Sequence, residues 1–400
     1  MASSERGETT PRELTRRVLL QAGSSALLLS ATGSAPAATV EPAPPSAVAV
    51  EWRNRQPGMA YRRLGRTNLM ISEVVSGGDP ITLSNYKHLS LAIEMGLNYL
   101  DMAPAYNGGN TERAYGKLLA ASPGLRDKLF LTTKISGLKQ LRERLYREIF
   151  DKLPQSRQDE LRHRARDLRK ARGVDAPGYF LTYFPGQPGS LDPAYLRAAM
   201  FEEFSPRVEN DPAIRSFIRE TLDGSLKRVG TDHFDILMCP HGADTPEDAH
   251  APLVSEVFAE LKKEGKVRFL GLTAHNDPAG VLRAATAAGC YDVVMMAYNV
   301  INGGYVEEAI RFAGSKDLGL IAMKSAHAVA THHKPLQPVP DWRVQKIERI
   351  IKGDWKAPQK AYLWSLQNPH IAAVISNLWD ETFVRENLAL AGKKVELNPA

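Results

Sequence analysis

Short apolar runs that stop abruptly at polar residues punctuate this chain. Residues 98–100 lead to Asp101, 129–133 to Lys134, and 234–239 to Pro240 and His241. Further on, 267–272 ends at Thr273, Ala274 and His275, 293–297 at Tyr298 and Asn299, and 319–323 at Lys324. An earlier run, 74–76, leaves through Gly77-Gly78, and a last one spans 372–375. Runs this short, bounded by turn residues, read as strands buried on both faces. Between them the apolar spacing becomes helical, over 84–95, 111–120, 211–229, 253–263, 279–288, 306–313, 358–367 and 381–391. Alternation of the two predicts a parallel sheet with right-handed crossovers. A doubly wound sheet is the rival, but its dinucleotide-binding form needs a GxGxxG turn after the first strand, and Gly77-Gly78-Asp79-Pro80 is not one. We therefore expect an α/β fold: a (β/α)8 TIM barrel with a large helical insertion after strand three.

In such a barrel the polar residues after each strand gather on one face. Asp101, Lys134 and His241 would meet there, joined by Tyr106 in the turn-rich loop Ala-Pro-Ala-Tyr-Asn-Gly-Gly-Asn. Singly, each has an ordinary reading: a helix cap, a surface charge, a core imidazole, a loop aromatic. Together, a carboxylate, a lysine, a histidine and a phenol make a proton-transfer site, so the chain reads as an enzyme.

Length and charge fit this picture and narrow it. The 400 residues exceed the roughly 250 a barrel needs, leaving room for a leader and an insertion. A formal charge of +6 comes without a long basic run, and no nucleic-acid-binding motif is present. Cys239 and Cys290 lack CxxC spacing and read as buried thiols. His275, His327, His332 and His333 fall in loops, without the spacing of a metal site, so no metal is expected.

The first residues have a different character. Arg16-Arg17 precedes an apolar stretch rich in Gly, Ala and Ser, and Ala35-Pro36-Ala37 is a small-residue cleavage site. Residues 1–37 thus resemble a twin-arginine signal peptide, which implies the Tat export machinery as a partner and a periplasmic location. Gly23, Ser24, Ser25 and Ser30 interrupt the apolar stretch, so no permanent membrane span is expected. A disordered basic leader is the alternative. Residues 38–57, with Pro42, Pro44, Pro45 and Pro57, read as an extended linker, and 58–400 as the barrel.

The insertion covers 137–212. Residues 139–172 alternate basic, acidic and Leu positions as amphipathic helix does, while Tyr179, Phe180, Tyr183 and Phe184 lie in a stretch rich in Pro and Gly. Placed on a βα loop, the insertion should lie over or beside the active face, either shaping the substrate mouth or simply packing there. As a surface connection it is expected to be replaceable by a short Gly/Ser bridge without loss of the barrel.

From Tyr61 onward, outside the insertion, the chain resembles the aldo-keto reductases. The resemblance rests on Tyr-Arg-Arg-Leu-Gly-Arg-Thr at 61–67, Gly-Leu-Asn-Tyr-Leu-Asp-Met-Ala-Pro-Ala-Tyr at 96–106 and Leu-Thr-Thr-Lys at 131–134. Gly-Lys-Val-Arg-Phe-Leu-Gly-Leu-Thr at 265–273 and Arg-Glu-Asn-Leu at 385–388 extend it, and Met323-Lys324 is similar to the subgroup whose seventh strand ends in Met-Lys. It implies that Asp101, Tyr106, Lys134 and His241 form the family's catalytic tetrad, with a small-molecule aldehyde or ketone as substrate and NADP(H) as cofactor. The chemistry agrees. A carbonyl that receives hydride needs a proton donor, a neighbouring ammonium should lower the phenol's pKa, and a histidine can orient the carbonyl.

The resemblance also implies cofactor contacts at Thr273, Met295, Met323, Lys324, Ser376, Asn377, Glu386 and Asn387. Several depart from the family's pattern: Ala274 and Met295 replace an Asn and a Gln that hold the nicotinamide amide, Met323 replaces a stacking aromatic, and Trp379 falls at a phosphate-binding position. Lys324 is expected to take over a phosphate. The intact tetrad favours an exported reductase. The altered cofactor positions favour a partly decayed barrel acting as a binding or accessory protein.

Overall fold

Eight short strands close into a barrel because each is buried on both faces and can satisfy its backbone only against parallel neighbours. The computed structural model describes residues 49–330 and 338–399. The expected leader, the linker as far as residue 48, and His332 and His333 lie outside the described residues.

Three strands precede the barrel: β1 (Glu51–Trp52), β2 (Tyr61–Arg63) and β3 (Leu69–Ser72). The barrel strands are β4 (Val74–Ser76), β5 (Tyr99–Asp101), β6 (Phe130–Lys134), β7 (Phe234–Met238), β8 (Val267–Ala274), β9 (Val293–Ala297), β10 (Gly319–Met323) and β11 (Ala373–Ser376). They follow one another around a closed, all-parallel circle, with β11 returning to β4. This is the expected (β/α)8 fold. The helices are α1 (Leu89–Glu94), α2 (Asn110–Ala120), α3 (Leu138–Phe150), α4 (Gln155–Arg172), α5 (Leu191–Val208) and α6 (Pro212–Val229). They continue with α7 (Pro252–Lys263), α8 (Pro278–Ala288), α9 (Gly303–Ser315), α10 (Asp341–Ile350), α11 (Ala357–Gln367) and α12 (Glu381–Leu388). Among the described residues no helix is long and apolar enough to cross a membrane.

Two apolar layers hold the barrel. Val75, Tyr99, Phe130, Ile236, Val293 and Ile321 fill its interior, and Leu64, Leu69 and Ile71 of the β2–β3 hairpin plug its lower end. The outer layer joins strands to helices through Leu100, Leu131, Leu237, Leu272, Ile218 and Val257, among others.

Residues 51–57, read as linker, instead belong to the folded body. β1 pairs in parallel with β3, and Asn54 Nδ2 donates to the carbonyls of Ile93 and Leu97 at 2.6 and 2.9 Å. Polar side chains reaching distant carbonyls make these contacts, so apolar periodicity carries no sign of them.

The insertion differs from expectation in two ways. Its amphipathic half forms α3 and α4, but the half read as turn-rich also contains α5. Pro193 sits in the first turn of α5, where its missing N–H breaks no helical bond, and Pro206 in the last turn, where it removes one i→i−4 bond just before the helix ends. Nor is the insertion a detachable appendage. Tyr146, Ile149, Phe150, Leu161, Met200 and Val208 form a small core of its own, yet Leu138, Leu191, Tyr195 and Ala199 belong to the main core. Arg197 also reaches Asp248 at 2.8 Å in a buried bidentate pair. Replacing 137–212 with a flexible bridge would expose barrel surface at these residues, which argues against the expected tolerance.

At the lower face Asp235 gathers three guanidinium groups. Its buried carboxylate lies 3.2 Å from Arg53, 3.1 Å from Arg126 and 2.6 Å from Arg268, and accepts from the Leu131 amide at 2.9 Å. This cluster ties β1 to β6, β7 and β8 far from the active face. Asp235→Asn should lower stability by about 3 kcal/mol, because Arg126 loses its countercharge while Arg53 and Arg268 keep only the partly exposed Glu51. Calorimetry should show a clear fall in Tm with nucleotide binding unchanged; an unaltered Tm would refute the cluster's structural weight.

Candidate active site

Asp101 and Lys134 are the last residues of neighbouring strands β5 and β6, so the barrel itself brings them together. Lys134 Nζ donates to Asp101 Oδ1 at 2.5 Å and to the Met102 carbonyl at 3.0 Å. Both side chains are buried. Burial pulls the lysine below the ordinary ammonium range, and the Asp101 carboxylate opposes that pull.

Tyr106 is placed by a sharp turn. Asn107, Gly108 and Gly109 all take positive φ, at 49°, 60° and 80°, a left-handed path that Asn and Gly tolerate. Asn107 Nδ2 donates to the carbonyls of Asp79 and Ile81 at 2.9 and 3.1 Å, fastening this turn to the loop after β4. At Gly78 that loop passes so near β5 that a Cβ would stand 2.1 Å from the Asp101 carbonyl oxygen. Lys134 Nζ lies 4.6 Å from the Tyr106 ring centroid, and the ring meets His241 edge-on, 6.0 Å between centroids. The four residues predicted from separate strand ends and one loop thus converge.

One electrostatic expectation fails. The phenol of Tyr106 is pushed well above its ordinary range, by burial first and then by Asp101 and Asp79. The lysine stands over the ring face rather than beside the hydroxyl, and its charge is largely matched by Asp101. Tyr106 is accordingly a neutral hydrogen-bond donor. His241 is also neutral: burial, with Lys134 and Lys324 nearby, lowers its pKa to about 3. Ser136 Oγ lies 2.7 Å from His241 Nδ1, leaving Nε2 free to face a ligand. Nothing in the sequence signalled Ser136, which only the fold brings to an imidazole 105 residues away.

Beside the tetrad lies a cavity of about 330 Å³, whose wall includes Asp101, Tyr106 and His275. Of the eight expected cofactor positions, Met295, Met323, Lys324, Asn377, Glu386 and Asn387 line it. Thr273 and Ser376 do not. Thr273 Oγ1 accepts the Gly242 amide at 2.7 Å, and Ser376 Oγ accepts from Asn387 Nδ2 at 3.0 Å. Both hydroxyls are spent on holding the strand ends in place. Glu386 is paired with Lys356 at 2.7 Å. α12, which carries Glu386 and Asn387, is capped by Asp380, whose carboxylate accepts from the amides of Thr382 and Phe383 at 2.8 and 3.1 Å. Trp379, Tyr362 and Phe383 add an aromatic wall. Tyr362 and Phe383 lie on helices that the sequence marked only as barrel cover.

The insertion reaches this face, as expected for a βα loop. Tyr183 stacks on His327 at 6.2 Å, accepts a hydrogen bond from Asn299 Nδ2 at 2.9 Å, and has Lys324 Nζ 6.0 Å from its ring centroid. Phe184 meets His275 edge-on at 5.4 Å. Buried Gln187 holds this segment, accepting from the Tyr183 amide at 2.7 Å and donating to Asn276 at 2.8 Å. Tyr179 donates to Asp277. His275 and His327, weighed as metal ligands, are framed here by aromatic rings. Among the described residues no group of three His, Cys, Asp or Glu side chains could hold a metal ion.

Comparison with known proteins agrees with this geometry. The model of the aldo/keto reductase family matches residues 82–188 and 204–361, and so passes over part of the insertion. The uncharacterised oxidoreductase YqkF of Bacillus subtilis is 22% identical over 354 residues, 84% of this chain and 92% of that protein. The NADH-specific methylglyoxal reductase of Escherichia coli is 21% identical over 316 residues, 74% of this chain and 78% of its own. Among solved structures, the holo form of an aldo-keto reductase from Bacillus halodurans superposes with a TM-score of 0.55 at 19% identity, covering 84% of this chain and 92% of that one. A matching family model over most of the barrel, together with a closed eight-stranded fold, places this chain in the aldo/keto reductase family.

Proposed function

We propose that this chain is an exported reductase of small-molecule aldehydes or ketones, with Tyr106 as proton donor and NADP(H) as hydride source. The observation that carries the reading is the convergence of Tyr106, Lys134, Asp101 and His241 beside one cavity. The bound nicotinamide would supply a hydride, two electrons and one hydrogen, to the carbonyl carbon and be oxidised in doing so. Tyr106 gives its phenolic proton to the oxygen, so that C=O becomes CH–OH. The Lys134 ammonium, 4.6 Å from the ring centroid, stabilises the phenolate left behind. Ser136 engages Nδ1 of neutral His241 and leaves Nε2 for the carbonyl; in the tautomer in which Ser136 donates, Nε2 carries the proton that would be directed at the carbonyl oxygen.

The residues present suit a dinucleotide unevenly. Asn377, Glu386 and Asn387 supply polar groups for the adenosine half, and Lys356 is the cation offered to a 2′-phosphate once it parts from Glu386. The nicotinamide side is built from Met295 and Met323, with Thr273 already bonded to Gly242. Each amide hydrogen bond left unmade costs roughly 1–3 kcal/mol. That wall is what favours the second reading, a barrel that binds without turnover. The Escherichia coli relative is named for its use of NADH, which makes the choice between NADPH and NADH a direct test.

Tyr106→Phe should abolish carbonyl reduction while preserving the fold and NADPH affinity, since only the transferable proton is lost. Steady-state assays over a carbonyl panel would measure this. Most of the wild-type turnover surviving in the variant would exclude the assigned role. NADPH fluorescence titration should give a micromolar Kd, and binding of neither NADPH nor NADH would favour the accessory reading.

His241 makes a prediction about acid. Its folded pKa of about 3 lies below its unfolded value near ~6.5, so the unfolded chain binds the extra proton between them. This group therefore withdraws stability as pH falls through that interval. His241→Gln should flatten the acid limb of Tm against pH, and parallel curves would contradict a buried neutral imidazole.

Export is tested separately. Residues 1–60 fused to a folded reporter should direct it out of the cytoplasm, and Arg16→Lys with Arg17→Lys should stop this. Cytoplasmic location of the unmutated fusion would remove the export half of the proposal.

A further inference from the structure

The cavity wall contains one ammonium, that of Lys324, for which no ion pair is found among the described residues. Lys324 follows β10 and is half-buried, with Asp79, Lys134 and Asp101 among its charged neighbours. Among the described residues no carboxylate lies within ion-pairing distance of its Nζ, whereas Lys134, at the end of β6, holds Asp101 at 2.5 Å. An ammonium withdrawn from water without a partner is costly. Burial lowers its pKa, and Lys134 adds repulsion that Asp79 and Asp101 only partly offset.

The backbone carries a second cost at the same residue. Lys324 has φ +62°, in the left-handed region that non-glycine residues rarely occupy. Glycine would take this conformation freely, yet the chain uses lysine. The strained turn sends the side chain toward Tyr183 of the insertion, with Nζ 6.0 Å from the ring centroid. Lys324 was expected at the phosphate-binding rim of the cofactor site. Its electrostatic neighbours are Asp79 and the catalytic-group residues Lys134 and Asp101, while Lys356 is the lysine that pairs with Glu386.

Resting on the reductase reading above, we propose that Lys324 binds an oxyanion carried by the substrate, so that this site takes carbonyl compounds bearing a carboxylate or phosphate near the carbonyl. Tyr106 and Lys324 line one cavity of about 330 Å³, so a small oxo acid can meet the phenol with its carbonyl and the ammonium with its anion. His275, in the same wall, is held neutral by burial and by Lys324, and offers a further N–H or ring face without adding charge. Tyr183 covers the lysine from the insertion side and keeps bulk water from the ion pair, which strengthens it. A dinucleotide phosphate has the same oxyanion chemistry and is the other source to be distinguished.

The test compares matched acids and neutral esters: pyruvate with methyl pyruvate, and 4-oxobutanoate with methyl 4-oxobutanoate. The full chain should bind and reduce the acids in preference to the esters. Lys324→Met should raise KM for the acids at least ~20-fold, the size expected of one charge-assisted hydrogen bond, and leave the esters within about twofold. NADPH and NADH affinities should not change. Lys324→Arg should restore part of the acid preference. Lys324→Gly, which relieves the left-handed backbone, keeps the comparison readable if the methionine variant fails to fold.

Calorimetric titration with 4-oxobutanoate separates this proposal from the reductase reading. Tyr106→Phe should keep acid binding and lose turnover, whereas Lys324→Met should lose binding. Acid binding that depends on Lys324 in a protein that reduces no carbonyl would overturn the reductase reading and leave the oxyanion site standing. Equal effects of Lys324→Met on acids and esters, a loss confined to NADPH, or a wild-type protein that binds none of the acids would each overturn the oxyanion site.

Discussion

The active face depends on two opposite charges buried at the ends of adjacent strands. Taking Lys134 and Asp101 out of water is unfavourable for each alone and tolerable only at hydrogen-bonded range. The parallel register of β5 and β6 sets that range: Asp101 lies level with Thr132, and Lys134, two residues further on and on the same face, reaches back to it. Everything nearby is then constrained. The Met102 carbonyl satisfies a further ammonium proton, Gly78 must lack a side chain for its loop to pass Asp101, and the Tyr106 ring can rest against the cation. A smaller or less regular scaffold could not hold such a pair without admitting water.

That pair also sets the state of its neighbours. Two ammonium groups near His241, added to its burial, keep the imidazole unprotonated across the ordinary working range. A neutral imidazole has one proton to give, and Ser136 engages Nδ1, which leaves Nε2 for a ligand. Asp101 matches Lys134 so closely that the lysine does little to acidify Tyr106. On the proposed reading, the phenol would remain a donor until charge develops on it, and only then would the ammonium beneath it stabilise the change. Positioning, rather than a lowered pKa, is what the geometry offers.

Much of this was legible in the chain for a simple reason. A strand buried on both faces must be apolar throughout, so the first polar residue after it marks the barrel rim. Asp101, Lys134, His241 and Lys324 announce themselves in that way. Tyr106 needed its turn-rich loop, and the family resemblance, to be singled out. Thr273 and Ser376 were implied as ligand contacts by the family resemblance, but a rim hydroxyl can face the cavity or the neighbouring backbone, and sequence does not tell which. Ser136, Gln187 and the Asp235 cluster act on groups distant in sequence, so no local pattern carries them. α5 was hidden by Pro193 and Pro206, which signal breaks except at the helix ends where they sit.

The insertion shows how an added segment becomes necessary to a fold it did not create. Its helices cover barrel surface with Leu138, Leu191 and Tyr195, while Tyr183 and Phe184 frame His275 and His327 at the rim. Both ends of that arrangement are fixed: Arg197 on buried Asp248 at the helical end, Gln187 on Asn276 at the aromatic end. A wall pinned at two points keeps its aromatic rings in one place, so the rim it forms is rigid where a free loop would sample many shapes. On the proposed reading, the nicotinamide would lie against Met295 and Met323. Those side chains offer shape and polarisable contact but few directed bonds, so selectivity at this mouth must come from the elements around them. Those elements are the fixed rings of the insertion, the neutral imidazoles and the lysine set among them.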